Sequence, residues 1–250
     1  MFMLSKSKIK FIRSLRSKKQ RNDLRLFIAE GQKTVDDLLL YFPCSMLFHT
    51  SEYCTSHSVS YLQEVTPEEL KQISFLEEPQ QVLGVFVMPE PIWSNDYLEG
   101  ELIIALDMIQ DPGNLGTILR VADWFGIKHI VCARGTVDVF NPKTIQATMG
   151  AIGRVHVYIV DMGEFLQQLP HKIPVYGTFL EGDNIYSTNV QNEAVIIMGN
   201  EGNGISQAIE KHVTHRITIP SFPPNQSTSE SLNVAMATAI VCAEFRRRLF

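Results

Sequence analysis

From residue 101 onward, short apolar runs alternate with stretches in which apolar residues recur at helical spacing. The apolar runs are ELIIAL, HIVCA, VHVYIV, PVYGTF, AVIIM and HRITIP, and the helix-like stretches include LGTILRVADWFG, PKTIQATMGAI, GEFLQQL and ISQAIEKH. Continuous apolar runs of this length are typical of strands buried on both faces. The pattern therefore predicts an α/β domain with a parallel sheet and helices on both faces. In such a sheet, ligands bind at the carboxyl ends of the strands.

The first part of the chain alternates in the same way over shorter elements. SKIKFIRSLR, GQKTVDDLLLYF and a stretch starting at TPEEL have helical spacing, whereas RLFIAE, CSMLFHT and QVLGVFVMP are strand-like. Thr66, followed three residues later by Glu69, is a pattern that begins a helix. The segment PEPIWSNDYLEG is rich in turn formers and lacks periodicity. We therefore predict a small α/β domain over 1–88, a linker over 89–100 and the larger domain over 101–250.

Composition agrees with a globular protein and excludes several other classes. The chain of 250 residues is 45% hydrophobic, and no apolar run approaches the roughly 18 residues that cross a bilayer. The first residues lack an apolar stretch long enough for a signal peptide. The four cysteines lie far apart without a C-x-x-C pair, and the seven histidines form no metal-ligand spacing. We therefore expect a cytoplasmic protein with no membrane segment, disulfide or metal site.

The net charge of −5 conceals a basic cluster near the start of the chain. Between residues 5 and 25 the only acid is Asp23. The basic residues proposed to bind nucleic acid are Lys6, Lys8, Lys10, Arg13, Arg16, Lys18, Lys19 and Arg21. A local cluster of this kind is what phosphate-backbone binding requires, whatever the distant charges are. A solvated helical face or a frayed terminus is the alternative interpretation, and charge alone leaves both open.

Three loops combine glycine with polar residues after predicted strands. The first is DMIQDPGNLGTILRVADWFG, in which the apolar residues form a buried helical stripe. Arg120 lies off that stripe, on the side that it shares with Gly116. A glycine there allows a ligand or another backbone to approach closely. Taken alone, however, Arg120 is also compatible with an ordinary surface arginine.

The second loop, GNEGNG, follows the predicted strand AVIIM. It does not match the dinucleotide fingerprint G-x-G-x-x-G, and the chain has no G-K-[ST] phosphate loop. The carboxylate of Glu201 inside the turn would repel phosphate. The turn therefore suits a ligand without phosphate that is held by backbone groups, such as adenosine with a cationic side arm. A tight turn with an exposed glutamate is the alternative that this loop leaves open.

The third loop is ITIPSFPPNQSTSESLNVAMA. Proline ends the strand after Ile219, because proline cannot continue a central ladder. We predict that Ser231, Leu232 and Asn233 open a long apolar helix. Ser231 is a good N-cap residue. Asn233 is a poor helix former, which makes it a candidate for a role in a site.

These three loops, in this order, resemble the SpoU (TrmH-type) branch of the SPOUT RNA methyltransferases. The resemblance rests on NLGTILRVADWFG, MGNEGNGIS, and Ile-Pro followed by SLNVAMA, and it covers about residues 101–250. PKTIQATMGAIGRVHV and YGTFLEGDNIY are similar to connecting segments of the same family. Residues 10–39 resemble the ribosomal-protein-like substrate-binding domain that is often fused to these enzymes, although this match is looser.

The resemblance implies an S-adenosylmethionine-dependent RNA 2′-O-ribose methyltransferase. Ribosomal RNA is the favoured substrate and transfer RNA the alternative. It also implies a C-terminal trefoil knot, which base rates would make very rare. Members are usually homodimers with the active site at or near the subunit interface. We therefore expect this chain to be knotted and to form a homodimer.

The resemblance also assigns roles to residues of this chain. It implies the catalytic set Arg120, Asn114, Glu201, Ser231 and Asn233. It implies a methyl-donor site made by Thr178, Leu180, Gly199, Asn200, Glu201, Gly204, Ile219, Ser231, Leu232 and Asn233. Arg120 would stabilise negative charge on the attacking ribose oxygen, because arginine remains protonated and is a poor base. Glu201 would orient Arg120 or the incoming nucleotide.

Two features depart from the family pattern. The stretch SFPPNQSTSE is longer than the usual connection and adjoins the expected adenine pocket. Gln146-Ala147-Thr148 stands where arginine-alanine-serine is frequent. A catalytically silent RNA-binding relative is the main alternative, and the intact polar set argues against it. The missing phosphate motifs argue against a nucleotide-dependent oxidoreductase or NTPase.

Overall fold

The computed structural model describes residues 3–223 and 231–249. Its contacts group into two compact units. The first comprises the described residues up to Glu90 together with Asp138–Arg154, and the second comprises Pro91–Val137 and the described residues from Val155 onward. Most of the long stretch 221–230 thus lies outside the described residues. The domain boundaries inferred from the sequence stay a prediction.

The elements alternate along the chain as follows. The strands are β1 (Leu26–Glu30), β2 (Cys44–His49), β3 (Leu62–Glu64), β4 (Val82–Val87), β5 (Leu102–Leu106), β6 (His129–Ala133), β7 (His156–Val160), β8 (Val175–Asn184), β9 (Ala194–Met198) and β10 (His215–Thr218). The helices are α1 (Lys6–Ser14), α2 (Lys18–Leu24), α3 (Gln32–Leu39), α4 (Pro67–Ile73), α5 (Pro112–Trp124), α6 (Pro142–Thr148), α7 (Met162–Gln167), α8 (Gln207–Glu210) and α9 (Val234–Arg247).

The first unit contains a four-stranded sheet in the order β1-β4-β2-β3. β4 is antiparallel to β1 and β2, and β3 is parallel to β2. The predicted cap of α4 is confirmed, because Thr66 Oγ1 accepts the Glu69 N–H at 3.2 Å and the Glu69 carboxylate accepts the Thr66 N–H at 3.0 Å. Glu69 also accepts the Leu4 N–H at 2.7 Å, which attaches the segment before α1 to this cap.

The second unit confirms the predicted parallel sheet. Its six strands are all parallel and lie in the order β10-β8-β9-β5-β6-β7. Every residue of β5, β6 and β9 is buried, which explains their continuous apolar runs. The chain adds β6 and β7 on one side of β5, whereas β9, β8 and β10 lie on the other. The strand order therefore reverses between β5 and β9, the place where open α/β sheets bind ligands.

Two helices differ from the sequence-based expectation. α2, which follows α1 after a turn at 15–17, is not among the predicted helices. α9 begins at Val234, so the prediction that Ser231 opens this helix is wrong. The N-cap is Asn233, whose side chain accepts the backbone N–H groups of Ala235 and Met236 at 2.9 and 3.3 Å. Asparagine is a preferred N-cap, which accounts for a poor helix former at this position.

Arg21 is buried, unlike the rest of the basic cluster. Its guanidinium pairs with Asp138 and donates to the carbonyl groups of Leu15 and Arg16 at 2.7 and 2.8 Å. All three partners belong to the first unit. The prediction that Arg21 contacts RNA is therefore corrected, because its charge is already compensated inside the protein.

Along the chain that the structure describes, no helix is both long enough and apolar enough to cross a membrane.

Replacing Arg21 with methionine should destabilise the protein and leave RNA affinity unchanged at temperatures where the variant is folded. Removing one partner of a buried ion pair leaves the other charge uncompensated, which costs about 3–5 kcal/mol. Urea unfolding measures this loss, and Arg13→Met is the control because Arg13 is exposed. Unchanged stability together with weaker RNA binding would contradict the structural role.

Candidate active site

The loops after β5 and β9 meet at the point where the strand order reverses. Glu201, in the turn after β9, reaches across to the start of α5, which follows β5. Its carboxylate accepts the backbone N–H groups of Gln110 and Asp111 at 3.2 and 3.3 Å and the Asn114 Nδ2 group at 3.0 Å. The first N–H groups of a helix have no partner within the helix and carry partial positive charge. Glu201 lies beside this end of α5 and joins the turn after β9 to the two residues that precede the helix and to the Asn114 side chain.

Asn114 connects this contact to the third motif loop. While its Nδ2 group donates to Glu201, its Oδ1 atom accepts the Asn233 Nδ2 group at 2.9 Å. Asn233 simultaneously caps α9 through its own Oδ1 atom. Glu201, Asn114 and Asn233 thus form one hydrogen-bonded chain that joins residues from all three loops.

The turn after β9 depends on its glycines. Asn200 and Gly204 exchange backbone hydrogen bonds of 2.9 Å, and Gly204 has a φ of +67°. A Cβ atom on Gly199 would lie 2.3 Å from the carbonyl carbon of Gly204, so no larger residue fits without moving the backbone. Asn200 Nδ2 also donates to the Met108 carbonyl at 2.8 Å. The turn is consequently narrow and attached to the loop after β5.

A cavity of about 530 Å³ lies over this hydrogen-bonded chain. Its described lining is Gln110, Asp111, Asn114, Asn200, Glu201, Gly202, Ser231, Leu232, Asn233 and Val234. This set has two carboxylates and no lysine or arginine, and Leu232 adds a half-exposed apolar side chain. Such a lining suits an uncharged or cationic ligand with an apolar part, and it opposes a phosphate group.

Other predicted donor-site residues lie along the same edge of the sheet. Thr178 Oγ1 donates to the Ile197 carbonyl at 3.0 Å, and the Leu180 carbonyl accepts from Thr218 Oγ1 at 3.1 Å. The pairing of β10 with β8 also shifts here, because consecutive residues of β10 pair with Gly177 and Asp183. Residues 178–182 of β8 therefore lie between two successive residue pairs of the β8–β10 ladder. Ile219 directly follows β10.

Arg120 is exposed near the end of α5 and does not line the cavity. It forms no hydrogen bond or ion pair with the other described residues, and Glu201 in particular is bonded to the start of α5. Its guanidinium is therefore available to a partner outside the described part of this chain. Its predicted catalytic role stays a prediction.

Two residues that contribute to the site were not predicted. Asp111 is the N-cap of α5, with Oδ1 accepting the Asn114 N–H at 2.8 Å. The Asp-Pro pair could have indicated this, because aspartate favours the N-cap and proline the first helical position. Gln110 donates its side-chain amide to two loop carbonyls. Nothing in a lone glutamine before that pair identifies such contacts.

The basic residues on α1 and α2 form a surface of the first unit. Lys6, Lys10, Arg13, Arg16, Lys18 and Lys19 are exposed, and no ion pair within the described residues involves them. Lys8 is half-buried and contacts the ring and hydroxyl of Tyr61. Six of the eight residues predicted to bind RNA are thus exposed cations without an acidic partner among the described residues.

Comparison with known families decides the relationship. The pattern described as the SpoU rRNA Methylase family matches residues 101–243, and that described as the MRM3-like substrate binding domain matches residues 6–84. The chain belongs to the SpoU rRNA Methylase family. The resemblance inferred from the three loops is confirmed.

Relatives and solved structures support this family membership. The chain is 29% identical over 245 residues to the 23S rRNA (guanosine(2553)-2′-O)-methyltransferase RlmP of Bacillus subtilis, covering 96% of each chain. A solved TrmH-family structure from Porphyromonas gingivalis is 40% identical, with a TM-score of 0.86 over 99% of this chain and 100% of that one. An AdoMet-bound rRNA methyltransferase from Sinorhizobium meliloti is 29% identical, with a TM-score of 0.85 over 100% and 98%. The family fold is confirmed, while the trefoil knot stays a prediction.

The pKa of Glu201 reflects its contacts with α5. Partial burial is the largest influence and raises the pKa, but the hydrogen bonds from the Asn114 side chain and from the backbone of Glu201 itself, Gln110 and Asp111 together outweigh it. The pKa therefore lies below its ordinary value of 4.5. A carboxyl group whose pKa is lowered by folding stabilises the folded state when it is ionised.

The stabilising effect of Glu201 should accordingly depend on pH. Glu201→Gln should lower the Tm at neutral pH, and the difference from wild type should close as pH falls below 4.5 and through the lowered pKa. Thermal unfolding followed by circular dichroism over this range measures the difference. Glu181→Gln is the control, because the Glu181 carboxylate is exposed and forms no hydrogen bond or ion pair with the described residues. A gap that persists unchanged in acid would contradict this assignment.

Proposed function

We propose that this protein transfers the methyl group of S-adenosylmethionine to the 2′-hydroxyl of a ribose in ribosomal RNA. The observation that carries the proposal is the Glu201–Asn114–Asn233 chain, which joins the three motif loops beside a cavity at the reversal of strand order. The names of the RlmP and Sinorhizobium relatives support ribosomal RNA as the substrate class. The cytoplasm is the proposed compartment, where such an RNA would be met.

The residues at this edge fit S-adenosylmethionine. Adenosine with a sulfonium side arm carries positive charge and no phosphate, which agrees with the carboxylates and missing cations of the cavity lining. We assign the donor site to Thr178–Leu180, Gly199–Gly204, Ile219 and Ser231–Asn233. Backbone groups of Gly199, Ile219 and Leu232 would hold the adenine. When bound, the donor supplies an electrophilic methyl group for in-line transfer.

Arg120 is the proposed catalytic residue. The ribose oxygen becomes more anionic as it attacks, and a guanidinium placed beside it stabilises that charge. Because arginine stays protonated, we assign it this electrostatic role and route the proton to a neighbouring group or water. Its exposure and lack of a described partner leave the guanidinium free for this contact.

A homodimer is part of the proposal. Arg120 does not line the cavity of its own chain, so a second copy is the proposed source of the arginine at each site. α5 and α9, which pack together, also carry exposed apolar side chains. Trp124 is 85% exposed and Met236 is 54% exposed, which suits a surface covered by another chain.

Replacing Arg120 with alanine should abolish methyl transfer and leave S-adenosylmethionine binding nearly unchanged. The assay incubates the protein with labelled S-adenosylmethionine and unmodified ribosomal and transfer RNA, and then maps the 2′-O-methyl position. Loss of one charge-stabilising group costs about a hundredfold or more in rate. Equal turnover by wild type and variant would remove Arg120 from the mechanism. No incorporation by wild type would instead favour a silent RNA-binding protein.

Mixing two inactive variants separates the dimeric site from a site within one chain. Refolding Arg120→Ala together with Glu201→Ala should restore part of the activity if each site takes Arg120 from one copy and Glu201 from the other. Each variant alone provides the control. Inactivity of a confirmed mixed dimer would place both residues of a working site on the same chain.

RNA binding should weaken steeply with salt and depend on the basic surface of α1 and α2. Each phosphate contact contributes roughly 0.7–0.9 to the slope of log Kd against log salt. Lys18→Glu and Lys19→Glu should each weaken binding and reduce that slope. Lys172→Glu is the control, because Lys172 is a surface residue of the second unit paired with Glu193. Binding that does not respond to salt would exclude this surface as the RNA-binding face.

A further inference from the structure

Gln110 occupies a central position in the loop after β5. Its Nε2 group donates to the Met108 carbonyl at 3.1 Å and to the Gly135 carbonyl at 3.0 Å. Both amide protons are therefore used. Because both partners are carbonyl oxygens, only the nitrogen side of the amide can face them, which fixes the orientation of the side chain.

These bonds connect the loops that follow neighbouring strands. Met108 lies in the loop after β5, and Gly135 lies in the loop after β6. Met108 has a φ of +60°, which is uncommon for a residue with a side chain. Its carbonyl accepts from Asn200 as well as Gln110, so two side chains hold this conformation. The loop shape consequently depends on these hydrogen bonds as well as on the buried side chain of Ile109.

The same loop presents backbone donors to Glu201. The N–H groups of Gln110 and Asp111 both point to its carboxylate, which in turn accepts from Asn114. A change in the loop would therefore move the carboxylate and the asparagine together. Gln110 itself is exposed, so its side chain adds little to the buried core.

We propose that Gln110 is a positioning residue for methyl transfer, which holds loop 107–111 so that Glu201 and Asn114 keep their places beside the cavity. This inference rests on the proposed function. Gln110 acts through Glu201 and Asn114, so its loss should slow transfer more than it weakens donor binding. Small displacements of positioned groups reduce the rate of a transfer step far more than they reduce binding.

The test compares Gln110→Met and Gln110→Ala with wild type. Methionine has a similar length and no donor, so it removes the two bonds with little change in volume. Single-turnover transfer to unmodified ribosomal RNA at saturating concentrations should slow about tenfold or more. The Kd for S-adenosylmethionine, from calorimetry, should rise by a clearly smaller factor than the rate falls, and the Tm should fall by only a few degrees. Gln167→Ala is the control and should transfer methyl groups at the wild-type rate. Gln167 is an exposed glutamine of α7 whose side chain forms no hydrogen bond with the described residues.

A double variant tests whether Gln110 acts through Glu201. Residues that act as a unit give non-additive effects, so Gln110→Met should slow the Glu201→Gln variant much less than it slows wild type. The inference would be overturned if Gln110→Met transferred methyl groups at the wild-type rate. It would also be overturned if the rate losses of the two single variants multiplied in the double variant, or if Gln110→Met weakened donor binding by as large a factor as it slowed transfer. If wild type itself transfers no methyl group while binding the donor, the proposed function fails first and the inference falls with it.

Discussion

The site is organised by a carboxylate at the start of a helix that belongs to another part of the chain. Glu201 is separated from its partners by 91, 90 and 87 residues, yet it accepts the N–H groups of the two residues just before α5 and the side-chain amide of Asn114 in its first turn. This contact brings together the loops on both sides of the strand-order reversal. It also explains why the glycine turn after β9 carries a carboxylate where a phosphate-binding loop would not. A helix N-terminus is a ready anion site, and here two carboxylates of the protein, those of Asp111 and Glu201, already lie at it.

Much of the fold could be predicted because burial leaves a strong signature in the sequence. β5, β6 and β9 are buried along their full lengths, and such strands are read directly as apolar runs. The start of α4 could be predicted as well, because its capping residues Thr66 and Glu69 are only three positions apart in the sequence. Arg21 shows the limit of local reasoning. Its neighbours in sequence are basic, and its partner Asp138 lies 117 residues away. A charge pattern cannot reveal so distant a compensating acid.

The sequence could predict which residues belong to the candidate site better than it could predict how they contact one another. Motif resemblance selected Asn114, Glu201 and Asn233, and the structure joins them by hydrogen bonds. The direction of each bond could not be foreseen, because a residue type specifies donors and acceptors without specifying which loop they meet. Gln110 was missed for the same physical reason. Its partners are main-chain carbonyls, which every residue has, so the sequence carries no trace of the pairing.

The contact between Asn114 and Asn233 determines how late in synthesis the candidate site can be completed. The two asparagines are 119 residues apart. At about 5–20 residues per second, a ribosome needs roughly 6–24 s to pass from one to the other. Throughout that interval the first motif loop exists without the residue that completes its hydrogen bonds. The last segment of the first unit ends at Arg154, so all of that unit is synthesised before the residue that completes the hydrogen-bonded chain of the three loops.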